Sequence, residues 1–273
     1  MLSDMPDADV SQWRAWLAQG ELRPYFQAIH SVQNQGVFGF EVLGRRIDPD
    51  GYVHSLGQFF ESGGTADPYS PIQDLKREVD LTLRSQALER FQREAPDGSC
   101  LFINMPPSLM ARWTPGEDND PVSIRMIRAA GIDPRRIVIE ITEEAFPGQL
   151  EPFLQLVARY RREGYRIALD DVGAESSNLD RMGLFHPDIV KVDLALIKRS
   201  VDSRNFREIL FGLARLAESM GCELLFEGVE TDEELFNAFD KGASYLQGFR
   251  FSWPVPHFEP EKGETPAIVQ ALD

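Results

Sequence analysis

The sequence has few cysteines and no long apolar run, and each shortage excludes a class of protein. Its 273 residues contain only two cysteines, Cys100 and Cys222, each beside an apolar stretch. This predicts reduced thiols in a core rather than the disulfide framework of a secreted protein. No stretch approaches the roughly 18 uninterrupted apolar residues of a membrane span. The N-terminal stretch lacks the basic and apolar regions of a signal peptide. We therefore expect a cytoplasmic protein with no membrane span.

Positive charge is also scarce. The chain has 28 Lys and Arg against 44 Asp and Glu, a net charge of −16. Such an acidic protein is a poor partner for a nucleic-acid polymer, which is held largely through counterion release. Metal ions bound to the acidic residues would make the local electrostatic potential positive, and the protein could then still bind a phosphodiester. The hydrophobic content of 42% suffices for a sizeable core. Because strand-like segments do not cluster in one half, we expect a single domain over residues 1–273.

The most informative stretch is 166–171, an apolar run that ends in two adjacent carboxylates, Asp170 and Asp171. Carboxylates are rarely buried unless they are paired or bind a metal. Two of them at the exit of a strand therefore need cations. The same pattern, an apolar run with a polar residue in it or just after it, recurs at 101–104, 137–140, 189–193 and 224–227.

Strand-like and helix-like segments alternate along most of the chain. Strands are predicted at 24–29, 37–43, 100–105, 136–141, 166–170, 188–193, 223–227 and 245–251. Helices are predicted at 72–92, 149–163, 204–220 and 232–240, with a short helix between the strands at 166–170 and 188–193. Residues 46–71 are predicted to be a surface excursion, and the tail from 258 onward a cap or a frayed end.

About eight strands separated by helices, in a chain of this length, predict a (β/α)₈ barrel. The chemistry of such barrels lies at the carboxyl ends of the strands, where the polar residues of this sequence occur. A doubly wound open sheet is the structural alternative. It would gather its functional loops at one switch point rather than spread them over six or seven strands.

The polar residues at the strand ends form a set rich in oxygen ligands, without Cys or His. Its members are Glu41, Asn104, Glu140, Asp170, Asp171, Lys191, Asp193, Glu227 and Gln247. The four histidines, predicted to be solvated in loop-like stretches, are His30, His54, His186 and His257. Oxygen ligands favour Mg²⁺ or Mn²⁺, and this number of carboxylates suits two ions that share one of them.

Two metals about 3.5–4 Å apart are the usual machinery for attack on a phosphodiester. Lys191 would then offer a positive donor to the attacking water or to the developing phosphorane charge. An enolase-like proton abstraction, with Mg²⁺ on the carboxylates and Lys191 as base, fits the same inventory. Such enzymes need a capping domain, for which the chain has little room.

At these residues the sequence resembles the EAL-domain family of cyclic di-GMP phosphodiesterases. The motif that names the family is present as Glu-Val-Leu at 41–43, with valine for the usual alanine, and Tyr-Phe-Gln-Ala-Ile at 25–29 resembles the family's Y-x-Q-P-I. Further motifs follow in the family's order at 102–104, 140–143, 170–173, 187–193, 227–231 and 247–252. The resemblance covers about residues 12–257. It implies an EAL-type barrel whose first strand is antiparallel.

The resemblance implies that the chain hydrolyses cyclic di-GMP to linear pGpG by two-metal activation of water. It assigns the first metal to Glu41, Asn104, Glu140 and Asp170. It assigns the second to Asp170, Asp171 and Glu227, with Asp170 bridging. Lys191 and Glu227, beside Asp171, would position or deprotonate the water. Substrate contacts and their support would come from Gln27, Arg45, Asp193, Glu230 and Gln247. Glu143 would brace the loop after Asp171.

That loop is where the sequence departs from the family. The family reads D-F-G-T-G-Y-S-S-L or close to it, whereas residues 171–179 have Glu175 in place of a glycine and Ser176 in place of an aromatic residue. In the family this loop is linked to dimerisation and to control of the second metal, so the change bears on rate and regulation. The resemblance implies a homodimer and a protein signalling partner. The alternative function is a weakly active or inactive module that binds cyclic di-GMP or a protein.

Overall fold

A closed eight-stranded barrel forms the centre of the computed structural model, which describes residues 9–62, 67–106, 109, 112–114, 116, 120–141, 150–173 and 178–259. The strands are β1 (Glu21–Ser31), β2 (Val37–Ile47), β3 (Val53–Ser55), β4 (Cys100–Asn104), β5 (Ile137–Ile141), β6 (Arg166–Val172), β7 (Ile189–Val192), β8 (Glu223–Phe226) and β9 (Tyr245–Leu246). Their order is β1-β9-β8-β7-β6-β5-β4-β2, closed by pairing of β1 with β2, and β3 lies outside the barrel beside β2.

The first strand runs against its neighbours. β1 pairs antiparallel with β2 and with β9, whereas the pairings from β2 through β4 to β9 are parallel. The barrel and its antiparallel first strand, both predicted from the sequence, are thereby confirmed.

Helices cover the outside of the barrel. They are α1 (Val10–Ala18), α2 (Gly57–Glu61), α3 (Pro71–Glu94), α4 (Val122–Ala129), α5 (Leu150–Glu163), α6 (Asn178–Phe185), α7 (Leu194–Asp202), α8 (Arg204–Met220) and α9 (Asp232–Asp240), with a 3₁₀ turn at Pro134–Arg136. Within the described residues, no helix has the length and apolar character needed to cross a membrane.

Alternation along the strands separates two cores. On β6, Ile167 and Leu169 point outward into the main core under the helices, while Ala168 points inward. A strand reverses its side chains at every residue, so each parallel strand supplies both layers. The inward layer at the base of the barrel consists of Ile29, Cys100, Phe102, Val138, Ala168, Ile189, Leu225 and Tyr245.

The segment predicted to be a surface excursion contains ordered, buried structure. Leu56 and Phe59 are each only 1% exposed and pack with Trp13 of α1 in a separate cluster. The sequence prediction for 46–71 was therefore wrong in part, because its Gly and Asp residues obscured two short elements, β3 and α2.

Three further differences concern the ends of elements and one histidine. The last strand stops at Leu246, not at 251, because the chain turns at Gly248, whose carbonyl accepts hydrogen bonds from the amides of Phe251 and Ser252. The helices α1 and α7 were not predicted. His30 is buried on β1, so its predicted solvation was wrong.

The division into one domain with a tail from 258 stays a prediction, since residues 260–273 lie outside the described part.

Candidate active site

A polar layer lies directly above the inward apolar layer, two residues further along each parallel strand. Phe102 is followed in this way by Asn104, and Val138 by Glu140. The remaining inward pairs are Ala168 with Asp170, Ile189 with Lys191, Leu225 with Glu227 and Tyr245 with Gln247. β1 runs antiparallel to the other strands, so its polar residue comes before its inward apolar residue in the sequence. Gln27 precedes Ile29 and pairs in register with Glu41. Closure of the barrel therefore gathers these side chains at one mouth.

Lys191 is the centre of this layer. Its side chain is 1% exposed, and its Nζ lies 2.5 Å from Glu140 Oε1, 2.6 Å from Glu227 Oε1 and 3.0 Å from Asp170 Oδ1. Glu41 Oε1 is more distant, at 3.9 Å. One ammonium thus faces four carboxylates from four different strands or strand ends.

Burial and crowding shift the pKa values of these groups. Burial raises the pKa of Glu140 well above its usual value; Lys191 opposes this shift, and the carboxylates of Glu41 and Asp170 add to it. The pKa of Glu227 is raised for the same primary reason. Burial by itself would lower the pKa of Lys191, but the surrounding carboxylates raise it well above its usual value. Lys191 is therefore a fixed cation at neutral pH.

The backbone bends sharply at the Asp170–Asp171 pair. Asp171 has φ +56°, a left-handed conformation that is uncommon for a non-glycine residue, and its amide donates to Asp170 Oδ1 at 3.0 Å. Two residues later Gly173 has φ +105°, and a Cβ there would lie 2.5 Å from Leu196 Cδ2. Both Asp170 and Asp171 line the cavities at the mouth of the barrel.

A short chain of amide hydrogen bonds orients Glu41. Gln247 Nε2 donates to Glu41 Oε2 at 2.6 Å and to Gln27 Oε1 at 3.2 Å. Gln27 Nε2 in turn donates to the carbonyl of Ser252 at 3.1 Å. The three side chains are almost fully buried. Glu41 is thus held in one orientation by β1 and by the segment after β9.

Two cavities open from this layer and meet at Asp170 and Asp171, which line both. The first, about 430 Å³, is bounded by β2, α2 and α3 and includes Arg45 and Asn104. The second, about 350 Å³, includes Gln27, Glu41, Lys191, Glu227, Glu230, Gln247 and Phe249. The cleft therefore has two lobes on either side of the carboxylate pair.

Two groups of side chains have the spacing of metal ligands. Glu41, Glu140 and Glu227 form one, and Asp170, Asp171 and Glu227 form the other; within each, one oxygen per residue lies within 4.8 Å of the others. Glu140 is 0% exposed, and within the described residues its Oε2 has no hydrogen-bond partner. A buried carboxylate oxygen without a donor fits a hard cation. The all-oxygen donor set therefore suits a hard divalent cation.

Two predicted site residues, Asp193 and Glu230, have partners outside the group around Lys191. Asp193 accepts a hydrogen bond from the Ala195 amide at 2.6 Å and caps α7. Glu230 is exposed at the rim of the second cavity and pairs with Lys198 at 3.5 Å. Glu143 lies outside the described residues, as do Glu175 and Ser176 of the departing loop.

Charged residues of α3 also line the first cavity, and the sequence reasoning missed them. Arg84 is 1% exposed, pairs with Asp80 at 3.0 Å and donates to the backbone carbonyl of Asn104 at 2.7 Å. Burial raises the pKa of Asp80, and Arg84 opposes that shift. The available signal was the Asp-x-x-x-Arg spacing, which places both residues on one helix face.

Comparison with known proteins shows what the chain as a whole is similar to. A family model described as EAL domain matches residues 10–254. The chain is 37% identical over 241 residues to the uncharacterised EAL-domain containing protein YkuI of Bacillus subtilis, covering 87% of this chain and 56% of YkuI. It is 27% identical over 246 residues to the cyclic di-GMP phosphodiesterase RocR of Pseudomonas aeruginosa, covering 89% of this chain and 60% of RocR. The chain thus spans less than two thirds of either relative.

Solved structures show the same similarity. The crystal structure of YkuI in complex with c-di-GMP and calcium matches 97% of this chain and 63% of its own, with a TM-score of 0.79 and 31% identity. A Klebsiella pneumoniae BlrP1 structure with manganese and c-di-GMP matches 86% of this chain and 56% of its own, with a TM-score of 0.70 and 26% identity.

Proposed function

We propose that this chain, which belongs to the EAL-domain family, hydrolyses one phosphodiester bond of cyclic di-GMP to give linear pGpG. The observation that carries the proposal is the enclosed layer at the barrel mouth, where carboxylates from separate strands surround Lys191 and form two groups with ligand spacing. The complexes of YkuI and BlrP1 with c-di-GMP support the choice of substrate.

The charge of the site supports two divalent cations. When Glu41, Glu140, Asp170, Asp171 and Glu227 are all ionised, Lys191 leaves four negative charges unbalanced, which is the charge that two divalent ions neutralise. We assign the first ion to Glu41, Asn104, Glu140 and Asp170, and the second to Asp170, Asp171 and Glu227. Asp170 would contribute to both ligand sets, and Glu227 is the residue common to both spaced groups. When bound, Mg²⁺ or Mn²⁺ would polarise the phosphoryl oxygens and acidify water.

The protein's own side chains supply the proton transfer and the remaining charge. Glu227 takes a proton from the attacking water as the water oxygen bonds to phosphorus and the bond from phosphorus to the 3′ oxygen breaks. The leaving 3′ oxygen takes a proton from solvent water, and Glu227 returns its proton to solvent. Lys191 donates hydrogen bonds as an ammonium to the charge that develops on the phosphoryl group.

The two lobes of the cleft suit a cyclic dinucleotide, which carries two bases on either side of its phosphodiester ring. Arg45 lines the first lobe, and its planar guanidinium suits phosphate or guanine acceptors. Gln27 and Gln247 line the second lobe. Gln247 Oε1 is buried and, among the described residues, has no hydrogen-bond partner, so it is an acceptor available to the substrate.

The test is incubation of the purified chain with cyclic di-GMP and either Mn²⁺ or Mg²⁺, with pGpG measured by chromatography and EDTA as the control. Metal-dependent formation of pGpG supports the proposal. Binding of cyclic di-GMP without product under either metal would refute the enzymatic function and favour the non-catalytic module. The homodimer, a protein signalling partner and a cytoplasmic location stay predictions.

A further inference from the structure

A gap in the sheet lies beside the candidate active site, between β2 and β4. The two strands pair in parallel only as far as Glu41 with Phe102. Beyond that point β2 continues between β1 and β3, where Arg45 pairs with a residue of each. β4 continues against β5, as far as Asn104 with Glu140. Within the described part of the sheet, the end of β4 therefore has no strand on its β2 side. The first cavity opens there, lined by both Arg45 and Asn104.

The side chain of Arg84 extends into this gap. It reaches there from α3, is 1% exposed and lines the first cavity. Its Nη2 donates to the backbone carbonyl of Asn104 at 2.7 Å. Backbone carbonyls inside a fold are almost always paired. Here a guanidinium supplies the donor that an amide of a neighbouring strand would otherwise supply.

Asp80 fixes the guanidinium from one helical turn earlier in α3. Arg84 Nε donates to Asp80 Oδ2 at 3.1 Å, and Arg84 Nη2 donates to both carboxylate oxygens at 3.0 Å. Because the guanidinium is planar and rigid, a carboxylate that holds two of its nitrogens fixes its orientation. Nη2 therefore has a defined position from which to hold the Asn104 carbonyl.

The end of β4 is also held from its other side. The amide of Met105 donates to the Glu140 carbonyl at 2.8 Å, which joins the end of β4 to β5. Asn104, between these two contacts, is the proposed neutral ligand of the first metal ion. Its oxygen can bind that ion only at the distance the ion requires. Residues that orient a ligand in this way commonly change metal affinity by about 10- to 100-fold.

We propose that Arg84, oriented by Asp80, is a positioning residue that holds the main chain of Asn104 and thereby places the Asn104 side chain for the first metal ion. The inference rests on the metal assignment in the proposed function and adds to it a pair of residues from α3. Arg84 acts through Asn104 and takes no part in proton transfer.

The first test measures metal binding rather than turnover. In the full chain without substrate, calorimetry should show Mn²⁺ binding at one site weakened about ten-fold or more by Arg84→Met. Arg84→Lys, which keeps a cationic donor, should recover part of the loss. The matched control is Arg93→Met, because Arg93 pairs with Glu89 four residues earlier on the same helix and is 60% exposed. The control should bind Mn²⁺ like the wild type.

A further variant keeps the test valid if Arg84→Met fails to fold. That substitution leaves the Asp80 carboxylate buried without its partner, which is destabilising. The double variant Asp80→Asn/Arg84→Met removes both charges of the pair. It should show the same loss of Mn²⁺ affinity while its circular dichroism matches that of the wild type.

A double-mutant cycle tests whether Arg84 acts through Asn104. Asn104→Ala keeps the backbone carbonyl and removes the proposed ligand. Adding Arg84→Met to Asn104→Ala should weaken Mn²⁺ binding by less than about two-fold further, because the ligand that Arg84 positions is already gone. An equal loss from Arg84→Met in both backgrounds would show a general structural role and overturn the proposal.

Kinetics separate this role from a substrate contact. In the folded double variant, the Mn²⁺ concentration for half-maximal hydrolysis of cyclic di-GMP should rise about ten-fold. With saturating Mn²⁺, KM should stay within about two-fold of the wild type. A folded variant that keeps wild-type Mn²⁺ affinity, whether or not its KM changes, would overturn the positioning role and leave the proposed function intact.

The wild type itself separates the two proposals. If it binds Mn²⁺ but forms no pGpG, the proposed hydrolysis is refuted, and the comparison of Mn²⁺ affinities still decides the role of Arg84. A wild type that binds no Mn²⁺ would overturn the metal assignment and this inference together.

Discussion

Lys191 Nζ lies 2.5 Å from Glu140 Oε1, and neither side chain has appreciable contact with solvent. The two residues come from strands that are not neighbours, since β6 lies between β5 and β7. Their contact therefore spans the inside of the barrel. The stability of the folded barrel therefore depends on how the charges of the candidate active site are balanced.

Replacing Lys191 by methionine should destabilise the chain when chelator is present. Glu140 would then remain buried without its cation, a change that typically costs about 3–5 kcal/mol. The free energy of unfolding should be measured in urea at pH 8 with EDTA and again with Mn²⁺. Added Mn²⁺ should reduce the loss, because divalent ions would balance the same carboxylates.

Lys198→Met is the control for that experiment. Lys198 pairs with Glu230 at 3.5 Å, and both side chains are more than two fifths exposed. Exposed pairs of this kind contribute at most about 1 kcal/mol, so the control should unfold close to the wild type. A Lys191→Met chain as stable as the wild type in EDTA would show that the central ion pair has no structural role.

Replacing Glu227 by glutamine should remove activity and keep the fold. Glu227 belongs to both groups with ligand spacing and is the proposed proton acceptor. We expect kcat for cyclic di-GMP to fall at least about 100-fold. In EDTA the urea midpoint should not fall, because the substitution removes one of several crowded negative charges. Glu218→Gln, at an exposed residue paired with Arg215 on α8, should retain full activity. Near-normal turnover by Glu227→Gln would refute its assigned role.

The site was largely predictable because the period of a strand is simple. Apolar runs that end in carboxylates predicted inward side chains at the carboxyl ends of parallel strands. The structure places Glu140, Asp170 and Lys191 on the successive strands β5, β6 and β7, and Lys191 Nζ contacts both carboxylates. The two-residue alternation of a strand can be identified without knowing any distant contact. The local sequence was therefore sufficient to predict which side chains point inward.

What the sequence did not predict depends on tertiary contacts. α7 begins immediately after β7, with Asp193 as its N-cap, so no Gly or Pro separates the two elements and the boundary was missed. The Asp193 side chain caps that helix, a contact that the strand-end pattern did not predict, and its role in supporting the site stays a prediction. His30 was misjudged because its burial depends on Phe251, which is distant in sequence and lies with its ring centroid 5.3 Å away.

Replacing Gly173 by alanine should destabilise the loop that carries Asp171. Gly173 has φ +105°, and its new Cβ would lie 2.5 Å from Leu196 Cδ2. A side chain in this backbone conformation costs about 1–2 kcal/mol before the clash is counted. We expect a loss of roughly that size or more in the free energy of urea unfolding, together with a lower kcat/KM for cyclic di-GMP.

Gly212→Ala provides the opposite expectation for the same substitution. Gly212 lies inside α8, and a Cβ there would meet nothing within 4 Å. Alanine in a helix interior is favoured over glycine by about 1 kcal/mol, so this variant should be more stable than the wild type and equally active. Equal stability of the two alanine variants would contradict the strain assigned to Gly173.

His30 should make the stability of the fold depend on pH. Burial lowers the pKa of His30 to about 4, against about 6.5 for an unfolded chain. The unfolded state therefore takes up a proton as the pH falls below about 6.5, while the folded state stays neutral until about pH 4. The contribution of His30 to the free energy of unfolding is fully present above that pH window. It decreases as the pH falls through the window and stays constant below it. At pH 5 the loss should be about 2 kcal/mol.

His30→Leu removes the titrating group and isolates its contribution from that of the many carboxylates. Urea unfolding of the wild type and the variant at pH 7.5 and pH 5.0 gives four free energies. The decrease between the two pH values should be smaller in the variant by about 2 kcal/mol. His186→Leu serves as the control, because His186 is exposed, and its pH dependence should match the wild type. An equal decrease in the wild type and in His30→Leu would show that His30 accepts a proton in the folded barrel as readily as in the unfolded chain.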